Sequence, residues 1–199
     1  PTTKCTAFDI SNQVNGISYA GQNMDLGSWV EGSQVLVRVM PTENASEALV
    51  FAFAGIIGLN GVNANALGVT CNVLPQLNYA IDGLPVSFIV RAILQCKSID
   101  EAEQFLRSIK HASGQSYILS SSEEVRCFEC CGTSVIQYAP KEHQGRVFHS
   151  NHPLVSSDKS DLAHLATGRI DNSKARFASI SGRLGDQSRL MTLEDAKAA

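Results

Sequence analysis

The chain has 199 residues, 44% of them hydrophobic, and 16 Lys and Arg against 19 Asp and Glu give a net charge of -3. That length and apolar content suffice for one buried core, so a single domain over 1–199 is expected, and with no long basic run or aromatic-basic interleaving, nucleic acid and anionic membrane surfaces are excluded as partners. The longest mostly apolar window, 48–59, is too short to span a bilayer and is broken by Gly55 and Gly58.

Residues 5–10 alternate apolar and polar, 12–16 carry turn chemistry, and 17–22 return as a second strand, which predicts a hairpin with Cys5 at its open end. The β-branched run 34–40, closed by Pro41, and the apolar run 48–57 predict sheet. Residues 58–68 are dense in Gly and Asn and predict tight turns, after which 69–74 resumes as a buried strand. From Pro85 the period becomes helical, through Val86, Ile89, Val90, Ile93 and Leu94. A second helix follows over Ala102, Phe105, Leu106 and Ile109, with a capping box expected between Ser98 and Glu101. Three short antiparallel strands are expected at 117–120, 125–129 and 134–138, and a further one at 146–148. Helices are expected at 162–165 and 173–183, and another opens at Thr192. Strands, then two helices, then strands point to helices packed on antiparallel sheet.

Six cysteines are too few for a disulfide scaffold, and most lie in apolar runs, so a reducing cytosol is the expected compartment. Cys5 is either a nucleophile or a small hydrophobe at a strand end. Cys127 and Cys130 have C-x-x-C spacing, but on a strand they point to opposite faces and no second ligand pair follows, so no metal is expected there. His149 and His152 flank Asn151, which leaves open a Cys-His pair or metal ligands. Glycines 55, 58 and 61 lack both the end of a phosphate loop and a dinucleotide fingerprint, and no cofactor is expected.

Four motifs then fall in a known order: Cys5-Thr6; Gly21-Gln22-Asn23-Met24-Asp25; Gly55-Ile56-Ile57-Gly58 with Asn63 and Gly68-Val69; and Ser150-Asn151-His152-Pro153. With them the chain resembles the acyl-coenzyme A:6-aminopenicillanic acid acyltransferase family of N-terminal nucleophile hydrolases, which also contains penicillin V acylases and bile salt hydrolases. The resemblance implies an α+β fold, a four-layer αββα sandwich of antiparallel sheets. It implies a precursor cut between Lys4 and Cys5, so that 1–4 is the tail of a leader and 5–199 the mature chain without its C-terminal end. Cys5 is then the nucleophile and its freed α-amine the base, since a thiol near ~8.5 and an α-amine near ~7.7–8.0 are both poised around neutrality. Asp25 matches the acidic residue that stabilises the ammonium, and its plain alternative is a surface turn aspartate. Asn151 matches the asparagine that donates to the developing oxyanion, against an ordinary turn residue before Pro153. Asn72 resembles a second oxyanion or pocket donor, against a satisfied strand-end amide. The family uses no histidine base, and its late arginine has no assigned position here.

The expected activity is a self-processing cysteine amidohydrolase or acyltransferase working on a small-molecule amide or acyl thioester. The alternatives are a coenzyme A-dependent N-acyltransferase and a non-catalytic binding protein that keeps the fold. The expected macromolecular partner is the chain's own leader segment after cleavage, with room for a homo-oligomer. Trp29, Leu74, Leu77 and Tyr79, on the loops 26–32 and 74–83, are expected to line an apolar acyl pocket.

Overall fold

The computed structural model describes residues 4–11, 15–43, 45–142, 144–161, 163 and 170–199. The first hairpin forms as its alternation predicts, with β1 (Lys4–Ile10) and β2 (Tyr19–Asp25) antiparallel from Lys4↔Asp25 to Ile10↔Tyr19. Residues 12–14 of the expected turn lie outside the described residues. β10 (Arg146–His149) pairs with the other edge of β1, with Ala7 opposite His149, and completes a three-stranded sheet ordered β10-β1-β2.

A second sheet is a continuous antiparallel meander of seven strands: β3 (Gln34–Val39), β4 (Ala48–Phe53), β5 (Asn60–Asn63), β6 (Gly68–Val73), β7 (Gln115–Ser120), β8 (Val125–Cys130) and β9 (Val135–Tyr138). β5 lies inside the stretch expected to be tight turns only. A Cβ on its Gly61 would stand 2.4 Å from the Leu49 carbonyl oxygen and 2.8 Å from the Leu94 side chain, so the glycine is what lets its neighbours close on the strand. Turn chemistry is real at the far end of β5, where Ala66 has φ +60° and Asn63 Oδ1 accepts the Asn65 and Leu67 N–H groups at 2.9 and 3.1 Å.

Helices α1 (Val86–Ile93) and α2 (Ile99–Ser108) cover one face of the large sheet. Their Ile89, Val90, Ile93, Ala102 and Leu106 pack with Val50, Val69, Tyr117 and Phe128 in the largest core cluster. Ser98 caps α2 by accepting the Glu101 N–H at 3.2 Å, but the Glu101 carboxylate takes the Lys97 N–H at 2.8 Å, where the expected capping box has it on Ser98. α3 (Ile170–Leu184) sets Ile180 and Leu184 against Phe8, Ile10 and Phe148 on the outer face of the small sheet. α4 (Leu193–Lys197) is short and opens with a true capping box between Thr192 and Asp195. The helical stretch expected at 162–165 falls outside the described residues except for position 163.

Between the sheets, Ala7 and Val147 of the small sheet meet Ile118 and Cys127 of the large one. The order is helices, large sheet, small sheet, helices: an α+β, four-layer αββα sandwich. Strand alternation turns Cys5, Ala7 and Asp9 into the inter-sheet layer, and that choice of face places the site. Among the described residues, no helix is long and apolar enough to cross a membrane.

Candidate active site

Cys5 lies second on β1, is 3% exposed, and faces the large sheet. Its backbone N–H donates to Asn151 Oδ1 at 2.6 Å. Arg176, on α3, donates through one terminal nitrogen to the Cys5 carbonyl oxygen and, at 2.6 Å, to Thr6 Oγ1. Its other terminal nitrogen reaches Asn151 Oδ1 at 2.9 Å. Burial pushes the Cys5 thiol above its ordinary pKa. Hydrogen bonding from the Asn151 side chain and the Val73 backbone, followed by the Arg176 charge, pulls it back, and the Asp25 charge pushes it up again. The main chain on both sides of the thiol is therefore clamped by one amide and one guanidinium.

Asn151 is held from several directions. Its Nδ2 donates to the Val73 carbonyl oxygen at 2.9 Å, and its own carbonyl oxygen accepts from Gln76 Nε2 at 3.2 Å. Its N–H donates to Ser173 Oγ at 2.8 Å, and Ser173 Oγ also lies 2.8 Å from His152 Nδ1. Burial is the largest cause that lowers His152 to a pKa of about 4, so at neutral pH its ring is uncharged beside the Ser173 hydroxyl. Below the loop, Glu129 of β8 is fully buried and accepts the N–H groups of Leu154 (2.5 Å), Val155 (3.2 Å) and Ser156 (2.7 Å). It also lies 3.0 Å from His149 Nε2, while His149 Nδ1 is 2.9 Å from the Ser150 carbonyl oxygen. Burial alone would raise Glu129. Hydrogen bonds from His149, Leu154 and Ser156, together with the His149 charge, outweigh it and hold the carboxyl below its usual range.

The four residues singled out from the sequence stand in different relations to this clamp. Cys5 and Asn151 are in direct contact. The Asn151 amide is turned with its oxygen toward the Cys5 nitrogen, while its donor serves Val73 and the thiol. Asp25 ends β2 opposite Lys4, is exposed, and acts on Cys5 and Arg176 through its charge. Asn72 lies on β6, fully buried, between Cys71 and Val73. Its Oδ1 accepts from Gln22 Nε2 at 2.9 Å, and its Nδ2 has no partner among the described residues. The plain alternative of a satisfied strand-end amide does not describe it.

From the sequence, no arginine is assigned to the site. The structure brings Arg176, from within α3, onto Cys5 and Asn151. The available signal was its position on the flank of the inward stripe Ser173, Phe177, Ile180 and Leu184. Cys127 and Cys130 enter different clusters on opposite faces of β8. No group of His, Cys, Asp or Glu among the described residues is arranged to hold a metal ion.

A cleft of about 1190 Å³ opens beside the clamp, between β2 and the uncovered face of β3 to β6. Gln22, Asp25 and Asn60 are among its polar lining residues, and Leu36, Leu49, Phe51 and Val62 form an apolar wall on the large sheet. Of the loops expected to line the pocket, 26–32 contributes Leu26 and Val30, but 74–83 does not reach it. Trp29 stands in solvent edge-on to Phe53, Leu74 and Leu77 are buried with Cys131, and Tyr79 is exposed elsewhere. The apolar wall comes from strands of the large sheet, because the three-stranded sheet is too narrow to cover them.

By sequence, no curated protein matches the chain. Its fold is similar to that of a Caenorhabditis elegans N-acylethanolamine-hydrolyzing acid amidase ortholog, at TM-score 0.56 and 16% identity over 94% of this chain and 89% of that one. A mutant of the conjugated bile acid hydrolase from Clostridium perfringens aligns at TM-score 0.54 and 14% identity over 84% of this chain and 57% of that one. Penicillin V acylase from Agrobacterium tumefaciens aligns at TM-score 0.54 and 13% identity over 98% and 65%. These likenesses establish the fold as that of the N-terminal nucleophile hydrolases. Residues 11–189 match the acyl-coenzyme A:6-aminopenicillanic acid acyl-transferase family, a span that begins just after Cys5 and contains Asp25, Asn72, Asn151 and Arg176, and the chain belongs to that family.

Proposed function

We propose that Cys5 is the nucleophile of a self-processing amidohydrolase or acyltransferase. The observation that carries this is the pairing of the Cys5 N–H with Asn151 Oδ1 at 2.6 Å, with Arg176 on the Cys5 carbonyl oxygen. In the uncut chain that nitrogen is a peptide N–H. Attack of the Cys5 thiol on the Lys4 carbonyl carbon and departure of the Cys5 nitrogen would move the Lys4 acyl group onto sulfur. Water would then hydrolyse this thioester, leaving a carboxylate on Lys4 and a free α-amine on Cys5. The freed amine stays next to Asn151 Oδ1, an acceptor that holds an ammonium well and keeps it beside the thiol.

In the cut enzyme the α-amine takes the thiol proton as sulfur attacks the acyl carbonyl of an amide or thioester. It returns the proton to the leaving amine of an amide or the leaving thiol of a thioester, and water or an acceptor amine then takes the acyl group from sulfur. The Asn151 amide beside the thiol, and the Asn72 donor that has no partner among the described residues, are suited to the oxygen that becomes negative. The apolar wall of the cleft favours an N-acyl amide with a hydrophobic acyl group, and the Caenorhabditis elegans relative is named for hydrolysing N-acylethanolamines.

The test is intact mass of the full-length gene product, wild type and Cys5→Ala, with labelling by an acyl-directed covalent probe. Two fragments joined at Lys4/Cys5 in the wild type, a single chain in the variant and probe mass on Cys5 are expected. An uncut wild type that takes no probe would replace this reading with a binding protein that retains the fold.

A further inference from the structure

Three side-chain amides run in series from the cleft into the buried site. Asn60 Nδ2 donates to Gln22 Oε1 at 3.1 Å, and Gln22 Nε2 donates to Asn72 Oδ1 at 2.9 Å. Gln22 Nε2 also donates to the backbone carbonyl oxygen of Cys71. A primary amide fits either way round unless something fixes its polarity. Here the Cys71 carbonyl fixes it, because a backbone carbonyl can only accept. Gln22 must therefore present nitrogen toward β6, and Asn72 must turn its oxygen to Gln22.

The consequence falls at the end of the series. With its oxygen occupied, Asn72 directs Nδ2 away from Gln22, and that donor is fully buried without a partner among the described residues. An unpaired buried donor is costly to keep, so a site that retains one has a use for it. Its surroundings indicate the use. Asn72 lies between Val73, whose carbonyl oxygen takes Asn151 Nδ2 and whose backbone hydrogen-bonds the Cys5 thiol, and Cys71, whose thiol feels the Cys5 charge.

We propose that Gln22 is a positioning residue that sets the polarity of the Asn72 amide, so that its free N–H is presented to the acyl carbonyl oxygen attacked by Cys5. This rests on the reading of Cys5 as the nucleophile. Gln22 does not touch the reacting atoms in this scheme and acts through which end of Asn72 faces the substrate.

The experiment compares wild type, Q22E, Q22M, N72A and the double variant Q22E/N72A by acylation rate with the acyl-directed probe and by kcat and KM on a hydrophobic N-acyl amide. The carboxylate that Q22E introduces can only accept when ionised, so it draws in Asn72 Nδ2 and turns the oxygen toward the substrate. Q22M removes the constraint without adding charge. Each single variant is expected to lose about a hundredfold in kcat with little change in KM, the scale of one oxyanion donor. The double variant should lose no more than the worse single one, because both remove the same interaction. Once protonated, the introduced carboxyl can donate again, so the ratio of Q22E to wild-type rate should climb as pH falls through the carboxyl range near ~4.3, while the Q22M ratio stays flat. Additive losses in the double variant, or a Q22M rate equal to wild type, would overturn the assignment while leaving Cys5 as nucleophile. Absence of probe on wild-type Cys5 would overturn both.

Discussion

Arg176 donates to the same oxygen, Asn151 Oδ1, that accepts the Cys5 N–H, at 2.9 and 2.6 Å respectively. One guanidinium thus spans the carbonyl side of Cys5 and the residue that holds its nitrogen side, and its charge lowers the thiol pKa against the effect of burial. Arg176→Ala should shift the pH profile of Cys5 alkylation by a small haloacetamide to higher pH and reduce kcat by roughly two to three orders of magnitude, the range for loss of a preorganised donor. Arg176→Lys keeps the charge but not the fork, so it should retain most of the alkylation profile and still lose most of kcat. An unchanged alkylation profile in Arg176→Ala would remove the electrostatic role.

Ser173 is one helical turn before Arg176 and fixes α3 to the Asn151 loop. It accepts the Asn151 N–H at 2.8 Å through Oγ, and its carbonyl oxygen accepts Ser150 Oγ at 2.9 Å. Ser173→Ala leaves the buried Asn151 N–H without that acceptor, which should cost about 1–3 kcal/mol in urea unfolding. Because the loop would then be free to shift relative to α3, kcat should fall as well. Full kcat alongside the stability loss would show that Arg176 is placed by other contacts.

Glu129 carries the other side of the same loop, with three backbone N–H groups and His149 on one carboxylate. Glu129→Gln breaks this buried arrangement and should destabilise by about 3–5 kcal/mol, as loss of one partner of a buried pair does. The carboxyl is held below its usual range in the folded state, so the stability it contributes is fully present above the unfolded value of 4.5 and is lost as pH falls through the lower folded value. A plot of melting temperature against pH should therefore show an acid decline in the wild type that is weaker in Glu129→Gln.

The strands were legible because alternation and β-branching report which face a residue takes, and β1, β3, β6 and β8 fall close to where those patterns place them. β5 was not, because Asn60, Gly61 and Asn63 carry turn chemistry, and the strand exists through the ladders that β4 and β6 offer it. In the site, Cys5, Asp25, Asn72 and Asn151 could be named because each lies in a motif or at the end of a predicted strand. Gln22 lies in one of the same motifs, yet nothing local says that its amide reaches Asn60 and Asn72. Arg176 and Cys5 are 171 positions apart and Glu129 and His149 meet across two sheets, so these contacts are set by the stacking of layers, which periodicity does not encode. The missed residues are those that act across layers on the motif residues.

Asp9 shares the inter-sheet face of β1 with Cys5 and is fully buried there without an ion-pair partner among the described residues. Thr70 Oγ1 donates to its Oδ2 at 3.0 Å, and Oδ1 has no partner among the described residues. Burial raises its pKa from 3.8 to about 8 against the opposing hydrogen bonds of Ser120 and Thr70, so the folded protein holds it neutral at pH values where the unfolded chain has it ionised. Between about pH 4 and about pH 8 the folded state binds one more proton than the unfolded state, and stability must fall as pH rises through that window and level off above it. This slope is opposite to the one Glu129 produces at lower pH. Asp9→Asn keeps the shape, cannot ionise, and should melt at a higher temperature than wild type at pH 8 while the difference shrinks toward pH 4. Equal slopes of melting temperature against pH in the two proteins would show that Asp9 is ionised in the folded state and that an unassigned cation or water chain compensates it.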